Sequence, residues 1–318
     1  MMTSKPSPSS HPTRALGRLV ISAVAMLICA SLSEANAQQT FKTPDEAASA
    51  LVAAAKNADR NAVLTVLGRG AEDIVSSGDA VADKNIRERF VAAYDEKHAI
   101  ETQGDKAIMV IGNEEFPFPI PLVHKGDAWR FDTEAGREEV LYRRVGRNEL
   151  DAIQSCLAYV DAQNDYADKD RTGAGPGVYA QRIVSQPGKK DGLYWPTAAG
   201  EQESPLGELV ADATAEGYRF TGLRAPFHGY FYKVLTRQGP AAPGGVLDYV
   251  VNGKMIGGFA LVAYPAEYGN SGVMTFIVNH NGTVYQKDLG ERSAQRADAM
   301  SSFNPDDSWQ KVDLSELQ

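Results

Sequence analysis

The sequence predicts an α+β protein made of two successive modules, and three observations carry that reading. Residues 41–135 place helix-forming segments first and period-two segments afterwards, whereas residues 137–290 open on a long amphipathic stretch and close on antiparallel strand patterns. A chain of 318 residues, 43% hydrophobic and 23% charged, has enough apolar side chains for two cores of ordinary size.

The first 37 residues stand apart. Arg14 and Arg18 precede the apolar run LVISAVAMLICASL, and Ala35-Asn36-Ala37 supplies the small residues of a signal-peptidase site. Residues 1–37 are therefore expected to be an export signal cut after Ala37, delivering the chain to the periplasm. The apolar run is shorter than the roughly 20 residues that cross a bilayer, and no later segment is apolar enough to be a transmembrane helix. Cys29 lies in this run, but Ile28 occupies the position where a lipid-attachment motif wants Gly, Ala or Ser. Cleavage would remove Lys5, Arg14, Arg18 and Glu34, three cations and one carboxylate, taking the net charge from −9 to −11. That sign argues against nucleic acid and against adsorption to anionic lipid surfaces. Cys156 would then be the one remaining cysteine, an inert packed thiol in the helical run DAIQSCLAYVDA.

In the first module, residues 38–136, Thr43-Pro44-Asp45-Glu46 has the form of a capping box with Pro at the first helical position, and AASALVAAAKNA continues as helix. RNAVLTVLG is expected to end at Gly68, and KNIRERFVAAYDEKH places Ile86, Phe90, Val91 and Tyr94 on one face. HAIETQ, KAIMVIGN, FPIPLVH and AWRFDT then read as strands, the last two around a tight turn at Lys125-Gly126-Asp127. Pro117, Pro119 and Pro121, spaced by two, lose their N–H donors on one side, which predicts an edge strand or an extended segment beside the sheet. Three helices followed by a meander resembles the nuclear-transport-factor-like cone, whose curved sheet encloses an active site or an oily core. An active version would need an acid–base pair, for which His98, His124 and Asp132 are the candidates. Their surroundings, a charged run, a turn and a strand end, read as solvated surface.

The second module, residues 137–290, begins with Leu150, Ile153, Leu157 and Val160 at helical spacing, with Asn148 as the expected cap and Glu149 and Asp151 near the positive helix end. GYFYKVLTR, KMIGGFALVAYPA, GVMTFIV and TVYQKDL follow as strands, the last two joined through Asn279-His280-Asn281-Gly282. A long helix, an irregular loop and an antiparallel meander resemble the globular head of a pseudopilin. The filament stem is missing, because Arg143-Arg144-Val145-Gly146-Arg147 occupies its place, so a stemless pilin-like domain is expected. Residues 291–318 read as a polar tail that packs only around Phe303 and Trp309.

RRVGRNELDAIQSCLAYVDAQNDYA, PGKKDGLYWP and GGFALVAYPAEYGNSGVMTFIVNHNGTVYQKDLG together resemble the bacterial exported family called domain of unknown function 2950. The likeness runs from about Phe41 to Val312 and brings no activity with it.

Asp168-Lys169-Asp170-Arg171-Thr172-Gly173 follows the first half of a calcium loop, with Asp168, Asp170 and Thr172 as candidate ligands. Its twelfth position is Tyr179 where the loop needs a bidentate Glu, so a solvated polar loop is expected and no metal or other cofactor. The residues that suggest a contact surface are aromatic: Tyr194 and Trp195 in GLYWP, and His228, Tyr230 and Tyr232 in FHGYFY. Packing is the expectation for Trp195 and Phe231, while Tyr230 and Tyr232 share one strand face that suits either role. No Gly-x-Ser-x-Gly elbow, P-loop, dinucleotide fingerprint or His-Glu-x-x-His zinc motif occurs. The sequence thus favours a non-catalytic binding or assembly factor of the cell envelope, with an envelope protein or a cell-wall fragment as partner. The alternatives are a hydrolase or isomerase using the first module's pocket, or a structural envelope component.

Overall fold

Thr43 starts the first helix, α1 (Pro44–Lys56): its Oγ1 accepts the Glu46 amide at 3.1 Å, and Glu46 Oε2 reaches back to the Lys42 amide at 3.0 Å. This is the predicted capping box with its return bond displaced by one residue. The structure, a computed structural model, describes residues 38–171, 173, 175–198, 200–220 and 225–317. The expected export signal, its cut after Ala37 and Cys29 lie outside the described residues. α2 (Arg60–Leu67) is capped by Asp59 and ends at Gly68, whose φ of +83° is the left-handed stop the sequence predicts. α3 (Glu72–Val75) is a single turn. α4 (Ala80–Glu96) starts earlier than KNIRERF suggests, because Asp79 Oδ1 accepts the Val81 and Ala82 amides, both at 3.1 Å.

A five-stranded sheet follows, comprising β1 (His98–Gln103), β2 (Lys106–Ile111), β3 (Phe116–Pro117), β4 (Leu122–Lys125) and β5 (Ala128–Phe131). β1 runs antiparallel along one edge of β2, and β3 and β4 share the other, Phe116 opposite Ile111 and Val123 opposite Lys106. The Phe118 amide still bonds the Met109 carbonyl of β2 at 2.7 Å, and residues 119–121 then leave the ladder, where prolines 119 and 121 have no N–H to give. The core beneath this sheet is built on Leu51, Leu67, Met109, Leu122 and Phe131.

Asp132 caps α5 (Thr133–Asp168), whose 36 residues span about 54 Å at 1.5 Å per residue. The expected module boundary at 136/137 falls within this one helix. Asn148 is not a cap; it is buried in mid-helix and donates from Nδ2 to the Ser271 carbonyl at 2.9 Å. Gly136 lets α5 cross the proline segment, since a Cβ there would lie 2.6 Å from Ile120 Cα. Beyond it come α6 (Gly207–Ala215), β6 (Tyr230–Leu235), β7 (Arg237–Gln238), β8 (Leu247–Asp248), β9 (Val250–Val251), β10 (Lys254–Met255), β11 (Ala260–Pro265), β12 (Met274–Asn279), β13 (Val284–Asp288), α7 (Ser293–Ala299), β14 (Ser302–Phe303) and β15 (Gln310–Lys311).

The second sheet has the order β15–β13–β12–β11–β6, with every neighbour antiparallel. The C-terminal half of α5 lies on β11, β12 and β13, while α7 and β14 touch β11 as well. All of β11 is buried, which is why ALVAYP is a continuous apolar run without alternation. The β12–β13 hairpin closes at Asn279–Gly282, where the Gly282 amide bonds the Asn279 carbonyl at 2.8 Å, as the sequence predicts. The last residues differ from expectation. Far from packing only around two rings, they add α7, pair β14 parallel to β7, and extend the main sheet through β15. Lys233 Nζ donates to the Asp298 and Met300 carbonyls at 2.5 and 2.6 Å, satisfying the C-terminal end of α7. The architecture is therefore α+β. Among the described residues no helix is long and apolar enough to cross a membrane.

Candidate functional site

A cleft of about 460 Å³ opens between α5, α6, the loop at 182–187, residues 218–220 and 225–227, and the start of β6. The loop is held by a short ladder, with the Ser185 amide on the Tyr194 carbonyl at 2.8 Å and the Tyr194 amide on the Ile183 carbonyl at 2.9 Å. Gly192 permits this approach, because a Cβ would lie 2.6 Å from the Ser185 nitrogen. Tyr218, Phe220, Phe227 and Tyr232 line the cleft, with Ser155, Arg182 and Gln186 among its polar groups. Apolar walls carrying a few polar atoms are the usual make-up of a small-ligand site.

The aromatic wall is one connected series. Phe227 lies 6.1 Å from Phe220, 5.1 Å from Tyr218, 6.4 Å from Tyr232 and 4.1 Å from the His228 ring, and Phe220 continues to Tyr194 at 6.4 Å. Tyr194, His228 and Tyr232 are thus brought together through rings that the sequence reading did not single out. Trp195 and Tyr230 are not part of the wall. Trp195 is buried against Tyr166 beneath Arg171 and Lys190, at 5.3 and 5.4 Å from its ring, and Tyr230 is fully buried with its hydroxyl donating to the Met274 carbonyl at 2.9 Å. The Tyr232 hydroxyl, with Ser155 beside it, makes no well-formed hydrogen bond.

His228 and Gly229 have φ of +48° and +76°, and the Phe227 amide and carbonyl both pair with Tyr230 across them. Two successive left-handed residues are what a tight primed hairpin turn requires. The strain at the non-glycine position is held by charge, Nε2 meeting Glu216 Oε2 at 2.8 Å and Nδ1 meeting Asp151 Oδ2 at 3.3 Å. Burial pulls the His228 pKa down, but the hydrogen bonds and charges of Asp151 and Glu216 outweigh it and the net shift is upward. With a carboxylate on each ring nitrogen, the imidazolium acts as a cross-link and has no free lone pair to serve as a base.

Below this turn lies a buried carboxylate that sequence reasoning missed. Asp79, 1% exposed, accepts the Tyr218 hydroxyl and the Gly229 amide on Oδ2, each at 2.9 Å, while Oδ1 caps α4. Tyr218 in turn accepts the His228 amide at 3.2 Å, and burial followed by the Asp79 charge holds its phenol protonated. The local signal available was only a helix cap in Gly-Asp-Ala; its partners lie 139 and 150 residues away.

The remaining candidates are placed elsewhere. His98 stacks on Tyr94 at 3.7 Å, His124 packs against Trp129 at 4.9 Å and Asp132 caps α5, and none of the three lines the cleft beside β6. Asp168 ends α5 and is exposed, as is Asp170, and Thr172 lies outside the described residues. Nearby Lys169 and Arg171 both pair with Asp165, at 3.1 and 2.8 Å. Among the described residues no group of three His, Cys, Asp or Glu side chains could hold a metal. Cys156 is fully buried and its thiol is pushed up to about 12, far from thiolate reactivity. His280, within the Asn279–Gly282 turn, packs edge-on to Tyr249 and Phe259, and burial lowers its pKa.

An α+β chain with an aromatic cleft defines its class only broadly. The family model described as "Protein of unknown function (DUF2950)" matches residues 38–312, and the chain belongs to that family. No curated protein and no solved structure matches it.

Proposed function

We propose that this is an exported periplasmic binding or assembly factor without catalysis of its own, which holds an apolar or aromatic portion of an envelope protein or cell-wall fragment in the cleft beside β6. The observation that carries the reading is the ring series Phe220–Phe227–Tyr232 lining the cleft, with Tyr194 beside Phe220, while neighbouring Trp195 and Tyr230 are packed away. Rigid rings present large contact area at little entropic expense. The acid–base groups nearby are committed to structure: His228 to two carboxylates and Asp79 to a cap and two donors. The periplasmic setting rests on Arg14, Arg18, the apolar run and Ala35-Asn36-Ala37.

The test is capture from a periplasmic extract with the protein and with Leu209→Trp, which fills the cleft from α6. A defined envelope protein or wall fragment retained by the former and lost by the latter, at unchanged circular dichroism, is the expected result. Equal recovery by both, or recovery by neither, overturns the reading.

A further inference from the structure

The first module carries a second cleft, of about 530 Å³, beneath α4. Leu51, Val63, Leu67, Ile86, Phe90 and Phe118 are among its walls. Although α4 presents the apolar face seen in KNIRERFVAAY, none of its residues is buried, and Ile86 remains 37% exposed. An apolar helix face held open over an apolar cavity is a core lacking part of its contents.

The charge around the cleft contradicts that of the chain. Arg60, Lys84, Arg87, Arg143 and Arg147 line it, against the single carboxylate of Asp83, on a protein of net charge −9. Asp83 is already engaged by the Ser77 amide and hydroxyl, at 3.1 and 2.6 Å. Lys84 pairs with Glu88 and Arg143 with Glu139, but Arg60, Arg87 and Arg147 make no ion pair among the described residues. Arg144, which also lines the cleft, is 7% exposed. Its terminal nitrogens bond the Asp73 and Ile74 carbonyls and Asn270, leaving a buried Nε–H with no acceptor.

We propose that this cleft binds a single-chain amphiphilic anion, an alkyl chain ending in a carboxylate, with the chain against α4 and the headgroup among the arginines. A cavity in the range of roughly 300–1,000 Å³ takes one small ligand, and the planar guanidinium fork matches a carboxylate. The inference is independent of the cleft beside β6.

Titration calorimetry with dodecanoate below its micellar concentration tests it, with dodecanol and dodecyl phosphate as further arms. Saturable binding at one site per chain is expected, with dodecanol weaker by about tenfold or more for want of a charge-assisted headgroup contact. The double variant Arg87→Gln/Arg147→Gln should weaken dodecanoate by about tenfold and leave dodecanol unchanged. Ile86→Trp, which narrows the mouth at an exposed position, should weaken both. Leu209→Trp should alter neither, which separates this cleft from the other. Absence of saturable binding, equal affinity for the acid and the alcohol, or undiminished dodecanoate binding by the double variant would overturn the proposal. Binding of dodecyl phosphate alone would overturn the carboxylate assignment.

Discussion

The two cores use apolar side chains differently. Around β11 the large apolar side chains are packed away: Phe259 and Phe276 are fully buried, with α5 among the elements that pack there. Under α4 they are not, for Ile86 and Phe116 keep 37% and 50% of their surface exposed on a helix and strand that are otherwise well formed. Apolar periodicity therefore predicts a face without predicting what covers it. Over Phe259 and Phe276 that cover is protein; under α4 a cation-rimmed cleft remains.

The contrast can be broken most directly by truncation. Phe276→Ala should destabilise by about 3–5 kcal/mol in denaturant unfolding, because the surrounding sheet cannot collapse on the void, whereas Ile86→Ala should cost less than about 1 kcal/mol. Equal losses would mean that the first cleft is as tightly packed as the second core. Asp79→Ala, where the two modules meet, should cost about 2–4 kcal/mol, since it removes a helix cap and orphans the Tyr218 hydroxyl and the Gly229 amide together. Asp79→Asn should recover part of that loss.

The two histidines shift in opposite directions. His228 has a folded pKa raised above the ordinary 6.5, so its stabilisation is complete below that value and is lost as pH rises through the folded pKa. His280 has a folded pKa lowered from 6.5, so its site loses stability as pH falls through the ordinary value, when the unfolded chain gains a proton that the folded site resists. Thermal midpoints measured across neutral pH should therefore flatten on the alkaline side in His228→Gln and on the acidic side in His280→Gln. The smallest effect is expected of Tyr232→Phe, within about 0.5 kcal/mol of neutral, because it deletes a hydroxyl that makes no well-formed hydrogen bond.

Much of the fold was legible locally. Strand β1, the β12–β13 hairpin, the stop at Gly68 and the proline segment follow from turn chemistry and period alone. The tail was misread because β14 and β15 are two residues each, too short to show a period, and the start of α5 was misplaced because Asn148 has the chemistry of a cap while serving as a buried donor. Of the candidate contact residues, three of the five meet at the aromatic wall. Trp195 and Tyr230 are indistinguishable from them in sequence, since burial is decided by distant elements. The links to Asp79, and of His228 to Asp151, span too many residues for any local pattern to announce them.

One feature binds both halves of the comparison. α5 gives Val140 to the first core and Ile153, Cys156, Tyr159 and Val160 to the second, and Arg144 between them ties the α3 carbonyls to Asn270. A rod shared in this way leaves neither half with a complete wall if the other melts. Heating should produce one cooperative transition, and a protease cut near Gly146 should release no fragment that survives by itself.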